Sequence, residues 1–394
     1  MLQDERADEV IQLCRKLIQC PSYSGKEKTV GQVLQDYMQK NDFDDIFVDC
    51  YGNVIGCIKG KKKGPRLLFD GHMDTVPVTD EKEWLYPPFS AEIHDGKIYG
   101  RGATDMKGAL AAMTAAAKYF AKDLNRDFAG EIYVAGVVHE ECFEGVAARK
   151  ISEAVQPDYV IIGEASNLNL KIGQRGRAEI VLESFGKSCH SANPEKGINA
   201  VYKICRAVEA IGRIKPLHHD VLGDGILELT DIKSSPYPGA SVVPDYCRVT
   251  YDRRLLVGEK KESVLRPLQE VLSRLMKEDK TAKYKVSYAM GEEKCYTGSE
   301  IKGERFFPGW LYKEEEGFVQ AVKKELNGRG FAPKITQYNF CTNGSHYAGE
   351  KHIPTIGLGP SRENIAHTLN EYIEISQLSG AVECYGVIMA ALLK

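Results

Sequence analysis

Three short apolar runs in this sequence lead straight into residues that bind metals or move protons. Leu67-Leu68-Phe69-Asp70-Gly71 runs into His72-Met73-Asp74, residues 132–138 into His139-Glu140-Glu141, and residues 159–163 into Glu164. Runs of that length, alternating with helical stretches such as the Ala-rich segment after Lys107, predict an α/β fold whose mainly parallel sheet is covered by helices on both faces. In an open α/β sheet, ligands collect at the carboxyl ends of the strands. His72, Asp74, Glu140, Glu141 and Glu164 should therefore share one rim with Asp105, which ends the Gly-rich loop Gly100-Arg101-Gly102-Ala103-Thr104-Asp105. A charged residue at the end of a strand is ordinarily a solvated turn residue. Six in succession, all of ligand type, are hard to explain that way.

The pattern changes near residue 178. Strand at 178–184, helix at 198–214, strands at 226–232 and 246–255, helix at 263–277 and strand at 284–290 give the order β-α-β-β-α-β of a ferredoxin-like unit. Afterwards the α/β pattern returns, with a helix at 316–326, strands at 334–340 and 355–358, and a last helix from Ile373. The organisation expected is a catalytic domain in two parts, 1–177 and 294–394, interrupted by an inserted α+β domain at 178–293 that serves as lid and dimerisation element.

The charge balance, 52 Lys and Arg against 55 Asp and Glu, excludes a strongly basic nucleic-acid footprint. No apolar run approaches the roughly 20 residues of a membrane span. The start, MLQDERADEV, lacks the basic flank and apolar core of a signal peptide. A cytoplasmic protein that acts on small molecules, without nucleic-acid or membrane partners, is the expectation. The 11 cysteines then read as reduced, mostly buried small hydrophobes. Cys142 and Cys189 lie near the proposed site, but a cysteine nucleophile would need its own activating base.

Gly71-His72-Met73-Asp74-Thr75-Val76-Pro77 resembles the G-H-x-D-x-V-P signature, and Tyr99 to Gly108 resembles Y-G-R-G-x-x-D-x-K-G. Both belong to the dinuclear zinc amidohydrolases and exopeptidases that include acetylornithine deacetylase, succinyl-diaminopimelate desuccinylase, aminoacylase and glutamate carboxypeptidase. The resemblance continues through Glu140-Glu141, Gly163-Glu164, Gly186-Lys187-Ser188-Cys189-His190-Ser191 and Ala366-His367-Thr368-Leu369-Asn370-Glu371. It implies a zinc-exopeptidase-like catalytic domain holding two Zn²⁺ per subunit, with Co²⁺ or Mn²⁺ as substitutes. His72 and Glu164 would hold one ion, Glu141 and His367 the other, and Asp105 would bridge them through a loop with a cis peptide bond just after it. Such an ion pair clamps a water and lowers its pKa. Asp74 would accept a hydrogen bond from the far ring nitrogen of His72, and Glu140 would be the general base.

The same resemblance assigns His190 to oxyanion stabilisation, often from a neighbouring subunit of a homodimer. It assigns Arg254 to a substrate carboxylate, and places Asn343 and Ser345 at the substrate pocket. Two departures from the family pattern stand out. Ser241 replaces a common asparagine, and Thr342-Asn343-Gly344-Ser345-His346 replaces G-G-T-D. His94, His218, His219 and His352 are read as surface residues, and His139 as turned away from the site. The activity implied is hydrolysis of an amide, peptide or N-acyl bond near a carboxylate, on an N-acyl amino acid or short peptide. A carbamoyl or ureido hydrolase on the same site, and a non-catalytic ligand-binding member, are the alternatives.

Overall fold

Leu67, Leu68 and Phe69 are all fully buried, as a continuous apolar strand covered on both faces must be. Their strand, Lys62–His72, pairs in parallel with Ala129–Val137 on one side and Tyr159–Ile162 on the other. Thr355–Gly357 extends the parallel set beyond Tyr159–Ile162. Antiparallel pairing joins Val54–Lys59 and then Asp45–Val48 at one flank, and Leu170–Gln174 at the other. The structure, a computed structural model, describes residues 4–393. His72 lies opposite Val137, and Asp70 opposite Ile162. The chain therefore leaves three neighbouring parallel strands at a common rim.

The helices that cover this sheet are built from small and aliphatic residues. Gly108–Asp123 carries Ala at seven positions and is buried almost throughout. It packs against Ile375–Leu392, whose Tyr385 meets Phe69 edge-on at 5.3 Å. Ile375–Leu392 is long and apolar enough to cross a membrane, but here it is a core helix, with half of its residues buried. It begins two residues later than the sequence suggests, because Tyr372–Glu374 pairs as a strand with Lys97–Tyr99.

Contacts divide the chain into two compact units: Met1–Gln174, Glu292–Gly303 and Leu311–Lys394, and Arg175–Gly291 with Glu304–Trp310. The second unit is an antiparallel sheet in the order Ile226–Ser235, Tyr246–Leu255, Gly176–Phe185, Tyr284–Tyr288. Alternate residues Ala178, Ile180 and Leu182 share its core with Ile204 and Ile211 of helix Ala200–Ile211, and with Leu268 of helix Lys261–Glu278. Helix Ala200–Ile211 is shorter than the apolar pattern suggests. Asn199 caps its start, accepting from the Val201 and Tyr202 amides, and Gly212 ends it. Residues 304–310 join this unit because Phe306 and Phe307 pair with Ala178 and Arg177.

The Phe69–Tyr385 contact sits at the centre of the first unit. Phe69→Ala should lower the stability of the metal-free protein by about 3–5 kcal/mol, read as a lower urea midpoint at unchanged slope. An unchanged midpoint would contradict the packing described.

Candidate metal centre

His72 is the last residue of its strand and fully buried. Its Nδ1 donates to the backbone carbonyl of Asp74 at 2.8 Å. That bond turns Nε2 toward Asp105 Oδ1 at 2.8 Å and Glu164 Oε1 at 3.4 Å. On the other side of Asp105, Oδ2 lies 3.0 Å from His367 Nε2, which is also 3.1 Å from Glu141 Oε2. One carboxylate thus divides its two oxygens between two histidines, each with a second carboxylate beside it. Ligand atoms of His72, Glu140 and Glu164 lie within 4.8 Å of one another, and so do those of His72, Asp105 and Glu141. Glu140 Oε1 is buried with no hydrogen-bond partner. Imidazole and carboxylate donors at this spacing fit a pair of divalent cations.

The loop that delivers Asp105 is held from below. The Asp105–Met106 peptide bond is cis. Gly102 takes a left-handed φ of 87°, and a Cβ there would come within 2.9 Å of Thr75 and 3.0 Å of Lys107. Buried Glu371 accepts from the Thr104 and Asp105 amides at 2.8 and 3.0 Å through one oxygen. Its other oxygen takes Arg101 at 2.6 Å. Lys107 is wholly buried, donates to the Cys20 carbonyl at 2.8 Å, and burial lowers its pKa to about 8. Among these residues, Arg101, Lys107 and Glu371 lay inside the quoted motifs without an assigned role.

Asp74 does something other than what the sequence resemblance implies. Its carboxylate is 3.7 Å from His72 Nδ1, too far for a hydrogen bond. Oδ1 accepts from the Glu140 amide at 3.0 Å, and Oδ2 from the Glu141 amide at 3.2 Å and the Ser24 hydroxyl at 2.7 Å. The backbone carbonyl orients the histidine, and the side chain holds the glutamate pair.

Asn343 and Ser345 are buried and bonded to protein groups. The Asn343 amide donates to Asp70 at 2.9 Å and accepts from the Gly145 amide at 2.8 Å, while the Ser345 hydroxyl meets the Glu144 carbonyl at 3.4 Å. His346 lies between Ser152 and Glu350, at 2.7 Å from each. In the second unit, Arg254 pairs with Asp252 at 2.8 Å. His190 is exposed, and its Nδ1 accepts from the Ala192 amide at 3.0 Å. A neutral ring bonded that way carries its proton on Nε2.

Crowded carboxylates set the electrostatics. Burial, reinforced by Glu164, Glu141 and Glu144, raises the Glu140 pKa well above the usual carboxylate range, with His72 working the other way. Burial and Asp105 push Glu141 up to about 7. Burial opposes charge on His72, but its hydrogen bonds to Asp105 and Glu164 outweigh that and raise it far above an ordinary imidazole. Hydrogen bonds to Asp105 and Glu141 bring His367 to about 10. Asp105 itself is held well below the usual range: burial pushes it up, and the bonds from His367 and His72 overcome that.

The model of peptidase family M20/M25/M40 matches residues 68–391. The Escherichia coli K12 protein YgeY is 33% identical over 395 aligned residues, covering 98% of this chain and 94% of that protein. Succinyl-diaminopimelate desuccinylase 2 of a Ruegeria strain is 27% identical over 401 residues, covering 98% and 95%. The crystal structure of aminopeptidase PepT from Bacillus cereus matches with a TM-score of 0.73 at 22% identity, covering 98% of each chain, and so shares the fold.

Without metal, protons sit where cations would neutralise the carboxylates. Cations must displace them, so apparent affinity should fall as pH drops through the His367 pKa of about 10, and more steeply below the Glu141 pKa of about 7. Calorimetry in buffers of differing ionisation enthalpy should show net proton release, with binding roughly tenfold or more weaker at pH 6 than at pH 8. An affinity independent of pH would contradict this account of the site.

Proposed function

This chain belongs to peptidase family M20/M25/M40 and is a metal-dependent hydrolase of amide, peptide or N-acyl bonds; from that premise we propose that it cleaves N-acyl amino acids or short peptides beside a carboxylate, with Glu140 as general base. The observation that carries this reading is Asp105 shared between His72 and His367, with the unpartnered Glu140 oxygen beside them. His72 and Glu164 would hold one cation, Glu141 and His367 the other, and Asp105 both; Zn²⁺ is the ion we assign, with Co²⁺ or Mn²⁺ able to replace it. When bound, the ions would supply Lewis-acid polarisation of the scissile carbonyl and acidify the attacking water. Glu140 receives the proton of that water and hands it to the leaving nitrogen.

The inserted domain supplies the remaining groups in this reading. His190 presents an Nε2 proton to the oxyanion. Arg254 exchanges Asp252 for the substrate carboxylate. The name of the desuccinylase relative supports an N-acylated amino acid as substrate.

We further assign a homodimer through the second unit. Its edge strand Ile226–Ser235 is exposed along nearly its whole length, including Ile226, Leu229 and Ile232. Ten residues of open, partly apolar edge invite pairing with a second copy. His190 of the partner subunit would then serve the site.

A panel of N-acyl amino acids and dipeptides, assayed with Zn²⁺, Co²⁺ and Mn²⁺, identifies the substrate. Chelation should abolish turnover and metal should restore it. Glu140→Ala should retain two metal equivalents by elemental analysis while kcat falls on the order of 10²–10⁴-fold. Loss of one equivalent would make Glu140 a ligand instead. Mixed Glu140→Ala and His190→Ala subunits should regain activity through one intact site per heterodimer; no recovery after verified subunit exchange would refute the shared site.

A further inference from the structure

Four consecutive backbone amides carry the chain from the end of strand Ala129–Val137 into the glutamate pair, and each donates to a side chain from a distant part of the sequence. Val138 N–H goes to Asn53 Oδ1 at 2.9 Å, and His139 N–H to Glu27 Oε1 at 3.2 Å. Glu140 and Glu141 N–H go to the two oxygens of Asp74. A chain leaving a sheet loses its ladder partners, and buried amides must find others. Here every partner of these amides is a side chain; the turn's own backbone bonds, from Phe143 N–H to the His139 and Glu140 carbonyls, close it on itself but leave the four amides to those side chains.

Asn53 is held by Asp49 and the Ala147 carbonyl, whereas Asp74 and Glu27 depend on one short segment near the N-terminus. Ser24 donates to Asp74 Oδ2 at 2.7 Å, the oxygen that also serves Glu141. Glu27 is completely buried and also accepts from the Gly25 amide at 2.9 Å through the oxygen that serves His139. The segment is itself tied to the strand end that bears His72: Ser22 donates to the Met73 carbonyl at 2.7 Å, and the Thr75 amide to the Ser22 carbonyl at 2.9 Å. The ligand strand and the base-bearing turn are thus registered against each other through residues 22–27. None of these residues is a metal ligand in the arrangement described.

We propose that Ser24 and Glu27 are positioning residues for the reaction, holding Glu140 in place through Asp74 and the His139 amide. The proposal rests on the reading of Glu140 as general base. Ser24 fixes the rotamer of Asp74, which would otherwise be free to follow only its two amide bonds. Glu27 fixes His139, whose backbone takes a left-handed φ of 55° at the point where the chain bends toward the site. Losing either anchor should leave the fold and the ligands in place and loosen the turn. A small displacement of the base is costly, because proton transfer needs hydrogen-bond reach.

The first test needs no substrate. Hydrogen exchange of the metal-free protein, followed by mass spectrometry, should show amides 139–141 exchanging roughly tenfold faster in Ser24→Ala and Glu27→Ala, with the chain outside them and the 22–27 segment unchanged. Ser24→Thr, which keeps the hydroxyl, and Glu27→Gln, which keeps an acceptor, should restore slow exchange. The second test uses the metal-loaded enzyme and the best substrate of the panel. Ser24→Ala should lower kcat roughly tenfold, leave KM within about twofold, and keep both metal equivalents. In a Glu140→Ala background, the same change should cost less than about twofold, because the residue it acts through is gone. Unchanged exchange at 139–141, or an equal loss in both backgrounds, or loss of a metal equivalent, would overturn the proposal. Full turnover by Glu140→Ala would instead overturn the base assignment beneath it.

Discussion

Asp105, Glu140, Glu141 and Glu164 are crowded around two imidazoles at the edge of a buried sheet. Like charges at that spacing cannot all ionise without positive charge among them. This constraint governs the first unit. His72 and His367 hold protons strongly in its absence, Glu140 and Glu141 are driven toward the neutral form, and Asp105 stays ionised because both histidines donate to it. Such a cluster is costly for a folded chain unless cations repay it. The sheet, with Leu67, Leu68 and Phe69 locked between helices, supplies the rigidity that keeps the carboxylates from drifting apart.

The geometry separates orienting groups from reacting groups in an economical way. The carbonyl of Asp74 fixes the His72 tautomer, and its carboxylate fixes the backbone of Glu140 and Glu141. Glu371 does the same for Asp105, holding two amides with one oxygen while Arg101 neutralises the other. In both places a buried carboxylate is satisfied by backbone N–H groups and a polar or charged side chain, which is how such a group is tolerated away from water. Neither carboxylate needs a metal to be stable, so the scaffold can persist while ions come and go.

Much of this was legible in the sequence because ligand chemistry demands particular residue types at particular strand ends. His72, Glu141 and Glu164 could be placed at one rim from the apolar runs before them, and the inserted β-α-β-β-α-β order from its periodicity. Residues whose role depends on backbone partners were not legible. Ser24 and Glu27 sit in an ordinary polar turn, with no ligand spacing to mark them. Strand Leu170–Gln174 escaped notice because Lys171, which is buried beside Glu363, breaks its apolar pattern. The Asp74 expectation differs from the structure for a related reason: sequence shows which carboxylate stands beside a histidine, but not whether its side chain or its backbone carbonyl accepts the ring's hydrogen bond.

The departures at residues 342–346 have a physical reading of their own. Asp70 points two residues back along the strand from His72 and is wholly buried, and burial raises its pKa to about 6 against the pull of Asn343 and Tyr347. Asn343 and Tyr347 both donate to it, and Asn343 simultaneously accepts from the Gly145 amide beyond the glutamate pair. The Asn343 amide supplies the donor and the acceptor that these two partners require, and His346 stands in the neighbourhood of the motif's aspartate. His346, flanked by Ser152 and Glu350, extends the same internal network outward. The altered motif is therefore matched to Asp70 and the turn at Gly145, and its side chains brace the strand behind His72 and the chain just after Glu141.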